Sequence, residues 1–202
     1  MNKRNYQREL DNLLLEIKKS CTTPKLLVHS CCAPCSSYVL EYLSEYFDIT
    51  VLYYNPNISP KEEYEYRKAE QIRLINRKTW TNPVNFMDCD WEGDVFDSAI
   101  KGYEHENEGG PRCKVCFSLR LSKTAEIAKT NGFDFFVTTL SISPLKNADL
   151  LNEIGETLSK QYDIKYLPSD FKKREGYKRS IELSREFDLY RQDYCGCVYS
   201  KR

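Results

Sequence analysis

Six of the nine cysteines in this chain fall into three close pairs: Cys31-Cys32, Cys113-x-x-Cys116 and Cys195-Gly196-Cys197. Cys35 trails the first pair in the run His29-Ser-Cys-Cys-Ala-Pro-Cys35. Scattered core cysteines have no reason to pair in this way. Thiolates gathered from three distant loops can hold a soft metal or exchange electrons. Cys113 and Cys116 are three apart at a predicted helix start, so both point to one side, where the positive helix end lowers the cost of thiolate charge. Half of a zinc site is the competing reading, but a zinc ribbon normally needs two such knuckles. Adjacent cysteines such as Cys31 and Cys32 make a poor zinc knuckle, yet they can ligate different corners of an iron–sulfur cube. Four thiolates from these two loops would complete a [4Fe–4S] site, which the spacing favours over zinc.

Cys195-Gly196-Cys197 asks for different chemistry. Gly196 supplies the backbone freedom that a tight ring between the two sulfurs would need. A disulfide over so short a loop would be strained and readily reduced, suited to cycling rather than bracing. A further pair of metal ligands is the alternative. Cys35 is either another ligand or a bystander, and Cys21 and Cys89 stand alone as ordinary thiols.

The elements that must position these sulfurs follow from periodicity. Leu10, Leu13, Leu14 and Ile17 recur at helical spacing and predict an amphipathic helix over residues 4–20. Strands are expected at 25–29, 48–54, 84–87, 133–138 and 164–167. Helices are expected after the cysteine run, over 60–78, over 91–103, from Cys113 to the Asn131-Gly132 cap, around Leu151 to Leu158, and over 175–188. Alternating strands and helices imply an α/β fold of three layers, α/β/α, with a mostly parallel sheet covered on both faces. Ligands bind such sheets beyond the carboxyl ends of the strands. Three unusual loops fall there: the Cys31-Cys32 loop, Tyr53-Tyr54-Asn55-Pro56-Asn57, and Thr138-Thr-Leu-Ser-Ile-Ser-Pro144.

Composition bounds the remaining classes. A chain of 202 residues can build one substantial core, and 30 basic against 30 acidic residues give no global field for polyanions. Any nucleic-acid surface must therefore be a local patch. The start lacks the apolar stretch of a signal peptide and no window approaches a membrane span, so a cytoplasmic protein with reduced thiols is expected.

The ordered motifs resemble a known family. They are His29-Ser-Cys-Cys-Ala-Pro; Tyr54-Asn-Pro-Asn-Ile58 with Glu63-Tyr64 and Arg67; Arg112-Cys-x-x-Cys-Phe-x-Leu-Arg120; Thr138-Thr-Leu-Ser-Ile-Ser-Pro-x-Lys146; Asp170-Phe-Lys-Lys; and Tyr194-Cys-Gly-Cys197. Together, from about Lys25 to the C-terminus, they resemble epoxyqueuosine reductases of the QueH type. The resemblance implies a Rossmann-like domain of the HUP kind over 25–202, with residues 1–24 as a helical extension. It implies reductive removal of the epoxide oxygen from epoxyqueuosine in the tRNA anticodon, giving queuosine, with an external electron donor. It places cluster ligands at Cys31, Cys32, Cys113 and Cys116, and the redox-active pair at Cys195 and Cys197. An additional iron ion held by cysteine and aspartate is also implied. Cys35, at a position where some relatives carry Asp, is the residue that would serve it here.

A dithiol can supply two electrons at once, whereas a cluster passes them singly. Asp170, Asp193 and Tyr194 are proton-donor candidates by placement, and His29 reads as a hydrogen-bonded core histidine. Lys172, Lys173 and Arg174 head a stretch up to Arg191 with seven basic and four acidic residues, a local grip for tRNA. Arg67, Arg112, Arg120 and Lys146 are placed to join it, with Asn55 beside them. Tyr53, Tyr54, Tyr190 and Tyr194 offer rings for base stacking. An ATP-using tRNA sulfurtransferase on the same scaffold would need a glycine phosphate loop where this chain has Ser30-Cys-Cys-Ala-Pro34. A zinc-stabilised RNA-binding module predicts a colourless, chelator-sensitive protein. A thioredoxin-like reading of Cys32-Ala-Pro-Cys35 leaves the other pairs unexplained.

Overall fold

The computed structural model describes residues 4–201. Strands β1 (Lys25–His29), β2 (Asp48–Tyr53), β3 (Val84–Asp88), β4 (Phe135–Thr138) and β5 (Lys165–Tyr166) form one sheet in the order β3-β2-β1-β4-β5. Every neighbouring pair is parallel, with His29 opposite both Leu52 and Thr138. Helices α1 (Tyr6–Ser20), α2 (Ala33–Leu43), α3 (Lys61–Arg77), α4 (Gly93–Ala99), α5 (Pro111–Thr130), α6 (Ala148–Tyr162) and α7 (Gly176–Glu186) complete the chain.

The strands alternate between two cores, as a twice-covered sheet requires. Leu26 and Val28 of β1, with Phe135 and Val137 of β4, pack among Leu10, Leu14 and Ile17 of α1 and Val39, Leu40 and Leu43 of α2. Leu27 and Phe136 point the other way, to Phe117, Leu121 and Ala125 of α5 and Leu151, Ile154 and Leu158 of α6. This is the three-layer, Rossmann-like α/β fold that the sequence predicts. Helix α1 is fixed into the first of these cores. Its Asn5 side chain accepts the Arg8 N–H as an N-cap, and Leu10 and Leu14 are 0% and 2% exposed.

Two local departures matter for the site. The expected helix over 91–103 is confined to Gly93–Ala99, because Gly102 turns the chain at φ +91°. The loop that follows delivers Glu108 and Gly109 to α5. That helix starts at Pro111, whose missing N–H suits the first turn, so Cys113 lies within the first turn and Cys116 one turn on. Residues Thr139–Ile142, read from the sequence as loop, form a 3-10 turn at the end of β4.

Candidate metal and redox site

The sheet order reverses between β1 and β4, and the first cysteine run sits at that switch point. Cys32 is the extended residue before α2, with φ −172° and ψ 157°, and Pro34 occupies the first turn. The turn folds Cys35 back over the pair, so the sulfurs of Cys31, Cys32 and Cys35 all lie within 4.8 Å of one another. Cys31 Sγ and Cys32 Sγ are 3.8 Å apart. A metal–sulfur bond of about 2.3 Å in tetrahedral geometry spaces its sulfurs by about 3.8 Å, so these three donors fit a thiophilic ion. Hydrogen bonds from the Cys32 and Cys35 thiols push the Cys31 pKa down, while donating those hydrogen bonds, together with burial, raises Cys32 to about 12 and raises Cys35 as well.

Cys113 and Cys116 come from the start of α5 and are 8% and 7% exposed. The Gly109 N–H donates to Cys113 Sγ at 3.2 Å, and Arg120 Nη1 approaches Cys116 Sγ at 3.6 Å. Burial raises the Cys116 thiol to about 11 despite Arg120. Cys195 and Cys197 arrive on the C-terminal tail. Gly196 between them has φ +116°, and its carbonyl accepts the Ser59 N–H at 3.0 Å, so the tail is tied to the loop after β2. A Cβ there would lie 2.8 Å from Ile58 Cγ1, which explains the glycine by contact as well as by dihedral. All nine cysteines are free thiols.

These segments meet around two adjoining cavities. One, of about 280 Å³, is lined by Cys31, Cys35, Lys146, Asp193, Tyr194 and Cys195 among others. The second is lined by Cys113, Cys116, Cys195 and Cys197. Cys195, Glu108 and Ser200 line both, so the tail cysteine stands between the two sulfur groups. The Lys146 ammonium reaches Glu108 at 2.9 Å. Burial disfavours its charge, but Cys195 and Glu108 outweigh that and raise its pKa.

Three guanidiniums lie beneath the sulfurs. Arg67, Arg112 and Arg120 are each 1% exposed. Arg67 pairs with Glu63 at 2.7 Å and its Nη1 is 3.5 Å from the Cys195 carbonyl. Arg112 donates to the carbonyls of Tyr103, Glu104 and Glu106. Arg120 Nε lies 3.3 Å from His29 Nε2. Neither Arg112 nor Arg120 has a carboxylate partner among the described residues, and buried N–H groups on all three arginines lack acceptors. Buried cations of this kind call for anionic partners. A metal centre held by thiolates is anionic, so the donor set and its surroundings fit one.

His29 is fully buried between Thr138 Oγ1 at 2.9 Å and the Tyr54 carbonyl at 3.1 Å. Burial, reinforced by the Arg120 charge, holds its pKa down near 3, so it is a neutral core histidine. Tyr53 and Tyr54 are 0% and 2% exposed and cannot serve as open stacking rings. The Tyr53 ring packs on Tyr64, and Tyr54 donates to Glu92 at 2.7 Å. Asn55 is buried too, donating to the Ser30 carbonyl at 2.8 Å. Tyr190 packs edge-on against Tyr66, whereas Tyr194 faces the cysteine cavity. Lys172, Lys173 and Asp170 line a different, neighbouring cavity. Glu108, Tyr177 and Gln192 line the cysteine cavity without having been singled out by sequence; solitary polar residues in loops carry no spacing signal.

The family model described as Epoxyqueuosine reductase QueH matches residues 26–202. A relative of that name from Streptococcus pyogenes serotype M1 is 46% identical over 201 residues, covering 98% of this chain and 78% of its own. Another from Acinetobacter baylyi is 40% identical, covering 93% of this chain and 85% of its own. A third, from Thermotoga maritima, is 36% identical, with 87% and 89% covered. A solved structure titled as a predicted subunit of tRNA methyltransferase from Methanocaldococcus jannaschii aligns over 80% of this chain and 76% of that one. Its TM-score is only 0.44 at 15% identity, too low to bear on function. Among the described residues no helix is long and apolar enough to cross a membrane. The chain belongs to the QueH family of epoxyqueuosine reductases and is an oxidoreductase.

Proposed function

We propose that this chain reduces the epoxide of epoxyqueuosine in tRNA to queuosine, with residues 25–202 as the catalytic unit and 1–24 as a helical extension. The observation that carries the reading is the convergence of Cys31, Cys35 and Cys195 on one cavity, with Cys113, Cys116 and Cys197 on the adjoining one. A [4Fe–4S] cluster on Cys31, Cys32, Cys113 and Cys116, with an additional iron ion at Cys35, would supply single-electron transfer and a Lewis acid.

The chain's own residues account for the rest. Opening an epoxide to an alkene consumes two electrons and two protons and releases water. Cys195 and Cys197 supply the electron pair as two thiols become one disulfide, and an external donor returns them to thiols. Cys195 faces the cavity, whereas Cys197 is 7% exposed and sheltered behind it. Lys146 places a positive charge where the oxygen would gain negative charge, and Asp193 and Tyr194 stand in the same cavity as proton donors. Arg67, Arg112 and Arg120 hold the thiol loops from below, with Tyr54 and Asn55 packed into the same floor. Lys172 and Lys173 meet the nucleic acid outside.

The test uses anaerobically purified protein, tRNA bearing epoxyqueuosine and a chemical reductant, with nucleoside masses read after digestion. Loss of one oxygen with the native chain, and none with Cys195→Ser or Cys113→Ala, supports the assignment. Full conversion by either variant overturns it.

A further inference from the structure

A second cavity is larger than the cysteine site. It measures about 730 Å³ and opens between the start of α1, the start of α6 and the loop 170–174. Six basic side chains from three segments line it: Arg4, Arg8, Lys146, Lys172, Lys173 and Arg174. Three carboxylates, Asp11, Asp149 and Asp170, stand among them and leave an excess of positive charge. Asp170 pairs with Lys172, and Asp11 with Arg174. Arg4 is shared between Glu9 and Glu156. The exposed side chains of Arg8 and Lys173 have no acidic partner among the described residues, so their charge is available to a ligand. Two helix N-termini, capped by Asn5 and Asn147, add their positive ends to the same space.

Lys146 lines this cavity and the cysteine cavity alike. A polyanion lying across the first would therefore be continuous with whatever enters the second. We infer that α1 and the loop 170–174 form a cradle for the tRNA backbone, in which Arg8 and Lys173 each neutralise a phosphate while a nucleotide beside them enters the cysteine cavity past Lys146. The inference rests on the proposed tRNA substrate and adds a role for the N-terminal helix, which no motif assigned. An acidic protein could also meet a basic groove. The shared lysine favours RNA, because it joins the groove to the cavity where the modified base must sit.

The experiment measures binding of epoxyqueuosine-bearing tRNA to the full chain across a potassium chloride series. Arg8→Ala with Lys173→Ala is compared with Lys18→Ala with Lys19→Ala at the far end of α1, about 15 Å along the helix from Arg8. Each lost phosphate contact flattens the logarithmic salt slope by about 0.7–0.9, so two contacts are worth about 14- to 30-fold in affinity at 0.15 M salt against a 1 M reference. A loss of that size with a flatter slope for the groove pair, and none for the distal pair, is expected. Equal affinities for native chain and groove variant overturn the cradle while leaving the substrate assignment intact. A native chain that binds no tRNA removes both. Unchanged tRNA binding with impaired reduction by a protein electron donor assigns the groove to that donor and overturns the inference.

Discussion

Gly196→Ala isolates the requirement placed on the tail cysteines. The residue sits at φ +116°, a region essentially reserved for glycine. Holding alanine there costs about 1–3 kcal/mol. The new Cβ would also stand 2.8 Å from Ile58 Cγ1 and 3.2 Å from Arg67 Nη1. Ile58 and Arg67 are each 1% exposed, so neither has open space to retreat into. Taking about 2 kcal/mol for the two effects together shifts the docked-to-undocked ratio of the tail by about 30-fold. The tail is terminal, so this opening is local and the global melting temperature should scarcely move. Iodoacetamide labelling under anaerobic conditions, followed by peptide mass spectrometry, reads the opening at Cys197. Labelling should accelerate by about 30-fold in the variant if the tail closes faster than the reagent reacts. Ile58→Ala removes the contacting methylene but not the dihedral cost. Measured against Ile58→Ala alone, the penalty of Gly196→Ala should shrink without vanishing. Native labelling rates in Gly196→Ala would refute the packing argument. Complete recovery in the double variant would refute the backbone part.

Other perturbations test other elements. Leu14→Ala, in the α1 core, should cost about 2–5 kcal/mol by denaturant titration, whereas the neighbouring Leu15→Ala, at a side chain 55% exposed, should change stability by less than about 0.5 kcal/mol. Iron and sulfide analysis should show metal lost from Cys113→Ala and retained by Cys21→Ala, since Cys21 is exposed at the end of α1. Burial pushes the Glu41 carboxyl up, but Arg179 and Lys78, each 2.9 Å away, outweigh it and hold its pKa below the usual 4.5. The unfolded chain therefore binds the proton first, so this stability is complete above about pH 4.5 and is lost as pH falls below it. Thermal melts of Glu41→Gln should start lower than native at neutral pH, by an amount worth less than about 1 kcal/mol for these partly exposed partners, and converge with native in acid.

The parts of the fold that sequence reveals are those whose signal is local. The runs that became β1, β2 and β4 are apolar on both faces because each strand serves two cores, and such runs stand out without any tertiary information. Apolar periodicity carries α4 on to residue 103, because it does not register the left-handed dihedral on which the turn at Gly102 depends. The cysteines were readable for a related reason. Adjacent, i+2 and i+3 spacings place side chains near one another through backbone geometry alone, so such pairs stand out within a few residues. Cys35 was ambiguous because its meeting with Cys31 and Cys32 needs the first turn of α2 to fold back over the pair.

The arginines show where that kind of reading ends. Arg67, Arg112 and Arg120 look in sequence like any surface cations beside a nucleic-acid site, and a guanidinium carries the same charge wherever it lies. Their burial comes from three unrelated packings: Arg67 under the tail at Cys195, Arg112 folded into the carbonyls of 103–106, and Arg120 one turn beyond Cys116 against His29. No spacing rule connects these positions. Yet buried cations with unfilled N–H groups constrain the chemistry as tightly as the cysteines do, because a neutral site would leave the charges of Arg112 and Arg120 uncompensated, Glu63 answering only for Arg67. In the proposed reading the sulfurs select a thiophilic metal, and the arginines set the sign of the centre that would suit them. The exposed Lys173 and Arg8 lie on the outer face with their charge open to a polyanion. In the proposed reading, burial rather than residue type therefore divides the basic residues of this chain between holding an anionic centre and gripping an anionic substrate.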